Sequence, residues 1–426
     1  MKKLLLGILL ALIVAPTAPA IPNVFFGNGQ FFGPVIPAFP RFNANLTREF
    51  FDNDNWLENE FPGPWEDQPA LDGTTVKRMT EMPVVLGGVP TAIYAYSDDE
   101  GLREMSITYM DAGSFFGFKL GGEKTQKERQ AGSERRSEFG SHYNRISRVL
   151  RETIEKGVGS GKQTVIGRSH LLRSVFMDYE VDDFVLRLAT RENHSISIHV
   201  MRKDRVVGSF ADQQLLAMSD RERAALLVKN VTNNERGDLM IDGIPMYTQG
   251  NTPFCGVHSL AMAAHYYGLR MHPEDLIAGA DLQNTGSAKG SNIFGIYHAA
   301  AEEVGMKATV SSRFDARKVQ KALEAGMPVV VWRRVTYARE QAHHRFAKTV
   351  AEDPNAILPA ASDAEKTNWP NREDKGSPSH ASVVSGINSD LKEVIITEPW
   401  GEHARKRHMH FEEMEASAYA VFYFEL

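Results

Sequence analysis

A single cysteine stands in 426 residues, so no internal disulfide can staple this chain and its fold must rest on a buried core, which a chain of this length can supply. That residue, Cys255, lies in QGNTPFCGVHSLAMAAHYYG, residues 249–268, where a loop stiffened by Pro253 runs into a helical pattern. Val257, Leu260, Ala261, Ala264 and Tyr267 recur at helical spacing and predict one buried face, with Gly268 as its stop. A thiol at a helix N-terminus sits among unpaired backbone N–H groups at the positive end of the dipole, which favours thiolate over a free value near ~8.5. Upstream, Gln249 can set a side-chain amide beside the backbone N–H of Cys255, and two such donors suit an anionic tetrahedral intermediate. An isolated cysteine is more often inert packing, so a nucleophile here requires a base elsewhere in the chain.

The N-terminus predicts a signal peptide over residues 1–20. Lys2 and Lys3 form a charged start, Leu4 to Val14 an apolar run, and Ala18-Pro19-Ala20 a small-residue cleavage site. The run is shorter than the ~20 residues that span a bilayer. The expectation is an exported bacterial protein, periplasmic or secreted, with no stable membrane span after cleavage. No cysteine follows the run, which argues against a lipoprotein. In an exported chain a leftover thiol calls for intermolecular pairing or reactivity. Net charge is −6, with both signs interspersed, which gives no footing for nucleic-acid binding. The basic stretches 129–151 and Arg405-Lys406-Arg407 read as solvated faces.

The overall pattern is α+β. Residues 21–75, rich in Phe, Pro, Gly and Asn, read as an irregular segment. Residues 76–210 read as a small α+β domain of unassigned role. It comprises a strand hairpin (82–96 and 103–118), a helix (134–155) and an antiparallel meander (171–179, 184–189 and 195–201). A connecting stretch, 211–240, contains a short helix near 220–228. From 241 to 426 the order is the cysteine helix, further helices, then strands. Ser291 or Asn292 caps one helix and Asp315 another. Strands follow at 327–332, 380–386, 394–398 and 418–424. Residues 334–379, an insertion of roughly 45 residues, exceed an ordinary connection and carry a helix near 338–350.

A thiolate nucleophile needs a base, normally imidazole, and a third group that fixes the ring. His380 opens an apolar strand, SHASVVSGI, and Glu398 closes the next one, just before Pro399-Trp400-Gly401. A hairpin turning at Asn388-Ser389-Asp390 would bring the two near one another.

Gln249, PFCGVHSLAMAAHYYG, GMPVVVW, SHASVVSGIN and EPWG, in that order, resemble a papain-like cysteine peptidase of the C39 type over residues 241–426. The resemblance implies a papain-like fold, a helical half plus an antiparallel sheet. It implies Cys255 as nucleophile, His380 as general base, Glu398 as orienting acid and Gln249 in the oxyanion hole, acting on a peptide or protein substrate with no cofactor. Glu398 stands where the family usually has Asp or Asn, and Phe254 where an acidic residue often precedes the cysteine. Some members cut double-glycine leaders when fused to exporters; this sequence carries no transporter segment, so that role is not implied. An acyl or glutamyl transferase would use the same four residues. A catalytically silent papain-like binding module at the cell envelope is the reading from another class.

The remaining histidines read as structural. His258 and His265 share a helix face without an acidic or sulfur partner, so no metal is expected there. His403, His408 and His410 lie among cations, and His298 belongs to a helix core or rim. His142, His170, His194 and His199 are scattered and read as surface or packing residues.

Overall fold

The computed structural model describes residues 64–69, 75–82, 85–86, 88–98, 101–112, 115, 126–181, 183–192, 194–249, 253–282 and 293–426. The predicted signal peptide, most of the 21–75 segment and the predicted Ser291/Asn292 cap lie outside the described residues. Among these residues no helix is long and apolar enough to cross a membrane.

Among the described residues the chain forms helices and two antiparallel sheets. The first sheet contains β1 (Trp65–Pro69), β2 (Thr75–Met79), β3 (Ala92–Asp98) and β4 (Gly101–Asp111). The chain then forms α1 (Gln126–Val158) and returns through β5 (Lys162–Ile166), β6 (Ser174–Val181), β7 (Phe184–Arg191) and β8 (Ser195–Arg202). Across the sheet the order is β1-β2-β3-β4-β8-β7-β6-β5, which makes β8 central and explains why all of it is buried. Phe139, Tyr143, Ile146, Leu150 and Ile154 face one way along α1 and join Ile93, Ile107, Leu186 and Ile198 in one apolar cluster.

Several boundaries differ from the sequence pattern. Part of the segment read as irregular is β1, which pairs with β2. It lacks an apolar period because it is a polar edge strand, and its Pro69 stands at a strand end, where a missing N–H costs no ladder bond. The strand expected over 82–96 starts only at Ala92. The helix is longer at both ends than 134–155. Residues 169–172 form a turn, with Leu172 N–H bonded to Ser169 O at 3.1 Å, so β6 starts later than expected.

The second half opens with α2 (Gln213–Ala217) and α3 (Asp220–Val228), the latter capped by a reciprocal Ser219–Glu222 box. Two short strands follow, β9 (Val231–Asn233) and β10 (Leu239–Ile241), then α4 (Cys255–Tyr266), α5 (Pro273–Gly279) and α6 (Ile293–Glu303). Next come β11 (Lys307–Ser311), α7 (Ala316–Glu324) and β12 (Val329–Arg334). Within the 334–379 insertion lie α8 (Tyr337–Glu352) and α9 (Asp363–Lys366). The chain finishes with β13 (Ser379–Asn388), β14 (Glu393–Thr397), β15 (Arg407–His410), α10 (Phe411–Ser417) and β16 (Ala418–Glu425). The second sheet runs β11-β16-β12-β13-β10-β9, with β14 also on β13 and β15 on β14.

The halves are not separate cores. Ile166, Leu172, Phe176, Ala189 and Phe210 belong to the same apolar cluster as Val257 and Leu260 of α4. Polar ties cross the same junction: Arg191 Nε donates to Asp275 Oδ1 at 2.7 Å, and the Arg168 N–H to Glu303 Oε2 at 2.7 Å.

Candidate active site

Cys255 is the first residue of α4, with Phe254 at the N-cap and no side-chain cap. The thiol is buried, with His380 and the backbone of Ala381 as its polar neighbours. Burial alone would raise its pKa. The His380 charge, helped by the Ala381 contact, outweighs burial and holds the thiol below its ordinary value.

His380 sits near the start of β13. Its Nε2 meets Glu398 Oε2 at 2.5 Å, which leaves Nδ1 for the thiol. Burial pulls the imidazole pKa down, but the neighbouring Glu398 carboxylate and Cys255 push it up to about 10. For Glu398, burial raises the pKa, while His380 and Arg333 bring it down to about 2. The favoured charge pattern is therefore thiolate, imidazolium and carboxylate in sequence.

Strand register explains how Glu398 reaches His380. From the turn, Asn388 pairs with Glu393, Ile387 with Val394 and Gly386 with Ile395. The register then shifts by one residue, so that Val384 pairs with Ile396 and Val383 with Thr397. Continuing this register sets Glu398 opposite Ser382, on the face that His380 shares two residues away. Without the bulge, Glu398 would oppose Val383 and point to the other face. Accordingly, Ser382 Oγ donates to the carboxylate, at 3.0 Å from Oε1 and 2.9 Å from Oε2.

A second charged layer supports this carboxylate. Arg333 pairs with His380 across β12 and β13, and its Nη2 donates to Glu398 Oε1 at 2.6 Å. Its Nη1 donates to Glu340 Oε1 at 2.7 Å, and Arg407 Nη1 donates to Glu340 Oε2 at 2.8 Å. Glu340 comes from α8, so the insertion supplies a carboxylate behind the site. Arg407, read from sequence as part of a solvated basic cluster, is 2% exposed. Burial is possible because Glu340 and Glu398 both lie within ion-pair reach of it. Trp400 stacks on the His380 ring, with centroids 4.6 Å apart, and the Arg407 guanidinium lies 5.1 Å from the Trp400 centroid.

Gln249 reaches the same end of the sheet by its backbone, whose N–H donates to Pro399 O at 2.9 Å. The first turn of α4 is held from behind by Tyr297, whose hydroxyl donates to Gly256 O at 2.6 Å and accepts from Trp332 Nε1 at 3.2 Å. A Cβ on Gly256 would lie 2.2 Å from Trp332 Cζ2, so only glycine lets the helix approach the indole. Gly256→Ala is expected to cost about 1–3 kcal/mol through overpacking and to displace Cys255; equilibrium urea unfolding measures the loss.

The other histidines have identifiable places. His258 Nδ1 bonds to Phe254 O at 3.0 Å, and His265 lies between Tyr247 Oη at 2.6 Å and Met271 O at 2.5 Å. His298 packs its edge on Phe422, and His410 Nε2 donates to Pro359 O at 3.0 Å. His408 has a cation beside it, Arg236 Nη1 at 3.3 Å from its Nδ1, and also meets Glu393 Oε2 at 2.9 Å, a carboxylate 15 residues back in sequence that the β14–β15 pairing brings near. His199 is not an isolated packing residue: its Nδ1 meets Glu104 Oε1 at 2.8 Å. Sequence reading missed that partner because β4 and β8 are neighbours only in the folded sheet.

No curated protein matches the chain. Among solved structures, it is similar to the peptidase domain of Streptococcus ComA, a bi-functional ABC transporter involved in a quorum-sensing pathway. Identity is 16%, over 42% of this chain and 96% of that one, with a TM-score of 0.26. Residues 241–425 match the Peptidase_C39 like family, a span that starts at the end of β10 and leaves the first sheet outside it. Over residues 241–425 the chain is thus similar to the C39-like peptidases.

Proposed function

We propose that this protein is an exported cysteine hydrolase that cleaves peptide bonds, or closely related amides, through a thioester acyl-enzyme. The supporting observation is the buried Cys255 thiol beside His380, whose ring is in turn bonded to Glu398. The Cys255 thiolate attacks the substrate carbonyl carbon, and the oxyanion is held by the Cys255 N–H and the Gln249 amide. The His380 imidazolium passes its proton to the leaving amine as the C–N bond breaks. Neutral His380 then takes a proton from water, whose oxygen attacks the thioester and releases the acid and the thiolate. Glu398 fixes the ring and stabilises its charged form. Export rests on the Lys2–Ala20 pattern. A complete buried triad favours this reading over a silent binding module.

Iodoacetamide alkylation of Cys255, followed by mass spectrometry from pH 5 to 9, tests the ion pair. The rate is expected to stay high below neutrality, because the imidazolium keeps the thiol below its usual pKa. In His380→Ala the upward push of burial and of Glu398 is opposed only by the Ala381 backbone, so the rate at pH 6 falls by about tenfold or more. Equal, slow alkylation in both proteins sinks the proposal. On the alkaline side, peptide turnover is expected to fall as His380 loses its proton near pH about 10. Adding a primary amine separates hydrolysis from transfer: an amide product that replaces the free acid assigns a transferase.

A further inference from the structure

The β4–β8 register sets Ser106 opposite His199, which puts Glu104 on the same face two residues along. His272, at the N-cap of α5, enters this spot from the peptidase half. Glu104 Oε1 lies 2.8 Å from His199 Nδ1 and 2.7 Å from His272 Nε2. The two rings lie tilted by 35° to one another, with centroids 4.6 Å apart. One ligand atom from each residue lies within 4.8 Å of the others. Glu104 is 7% exposed and His199 is 4% exposed.

We propose that Glu104, His199 and His272 form a zinc-binding site that clasps the first sheet to the peptidase half. Two imidazoles and one carboxylate are a donor set suited to zinc, which takes nitrogen and oxygen ligands at about 2.0–2.2 Å. The far nitrogens support this assignment. His199 Nε2 lies 3.0 Å from Ser197 Oγ, and His272 Nδ1 lies 3.1 Å from Tyr96 Oη. In the zinc-bound form each ring donates its remaining N–H to one of these hydroxyl oxygens, which fixes the tautomer and aims the other nitrogen at the metal. Tetrahedral bonds of that length separate ligand atoms by about 3.3 Å, so the cluster opens by roughly half an ångström as the ion enters. The ligands come from β4, β8 and the start of α5, next to α4 in the chain. Removing zinc therefore loosens the junction between the halves without touching Cys255 or His380.

The experiment uses the full chain carrying Cys255→Ser, which removes the thiol as a competing ligand. The protein is stripped with EDTA, exchanged into chelator-free buffer and titrated with zinc by calorimetry. One zinc per chain is expected, with affinity lowered about 10–100-fold or more in His199→Gln and in His272→Gln. No uptake overturns the proposal, and so does uptake that both substitutions leave unchanged. If these variants do not fold, X-ray absorption at the zinc edge of the Cys255→Ser chain decides. Two imidazole nitrogens and carboxylate oxygen support the site, and any other ligand set overturns it.

Discussion

His380→Ala is expected to lower peptide turnover by about 10³-fold or more while the fold survives. A positioned general acid–base contributes roughly 10²–10⁴-fold. Here the same ring also sustains the thiolate, so both nucleophile and proton donor are lost. The surrounding structure tolerates the change. Removing the ring leaves Glu398 with Ser382 and Arg333 as donors, so the carboxylate is not stranded. A peptide-library assay on the folded variant, with Cys255→Ser as the inactive reference, checks this. Turnover within about threefold of the parent would show that the ring is not the acid–base, since that role requires at least about 10²-fold.

Arg333→Met is expected to act first on stability. Arg333 is fully buried and divides its donors between Glu398 and Glu340. Burial works against its charge, yet the two carboxylates raise its pKa above the ordinary value, while Glu340 is itself held well below its own. Removing the guanidinium leaves two buried carboxylates short of a counter-ion. Breaking a buried pair by deleting one partner costs about 3–5 kcal/mol. Equilibrium unfolding in urea should register that loss. The surviving folded fraction should show an altered pH profile, because Glu398 takes up a proton more readily without Arg333. A double change, Arg333→Met with Glu340→Gln, should recover part of the stability, since it removes one of the stranded charges.

The site residues were legible because each carries a local signal. Cys255 opens a helical period, His380 opens a greasy strand and Glu398 precedes Pro-Trp-Gly. Their supporting shell was not. Arg333, Glu340 and Arg407 look like ordinary surface charges, and only the packing of α8 on the sheet brings them together. The bulge that turns Glu398 toward His380 left one faint mark, Gly386. A glycine inside a strand pattern often signals a bulge or a close backbone approach. Here a Cβ would meet Met240 Sδ at 2.3 Å and Leu239 O at 2.8 Å. The histidine and glutamate at the junction were invisible for a simpler reason. Glu104 and His272 are 168 residues apart, and neither stands in a motif.

The register shift beside Ser385 makes the hairpin length a question of odd and even. Deleting one residue from the turn while the bulge stays would keep most ladder bonds, yet swing the carboxylate to the opposite side of the sheet, whereas deleting Ser385 itself would heal the bulge and leave Glu398 opposite Ser382. Losing two residues from the turn would shorten the loop and preserve the meeting of acid and ring. Homologous chains that retain this chemistry should therefore differ between the histidine and the acid by even numbers of residues where they keep the bulge, and by odd numbers where they lose it or gain another.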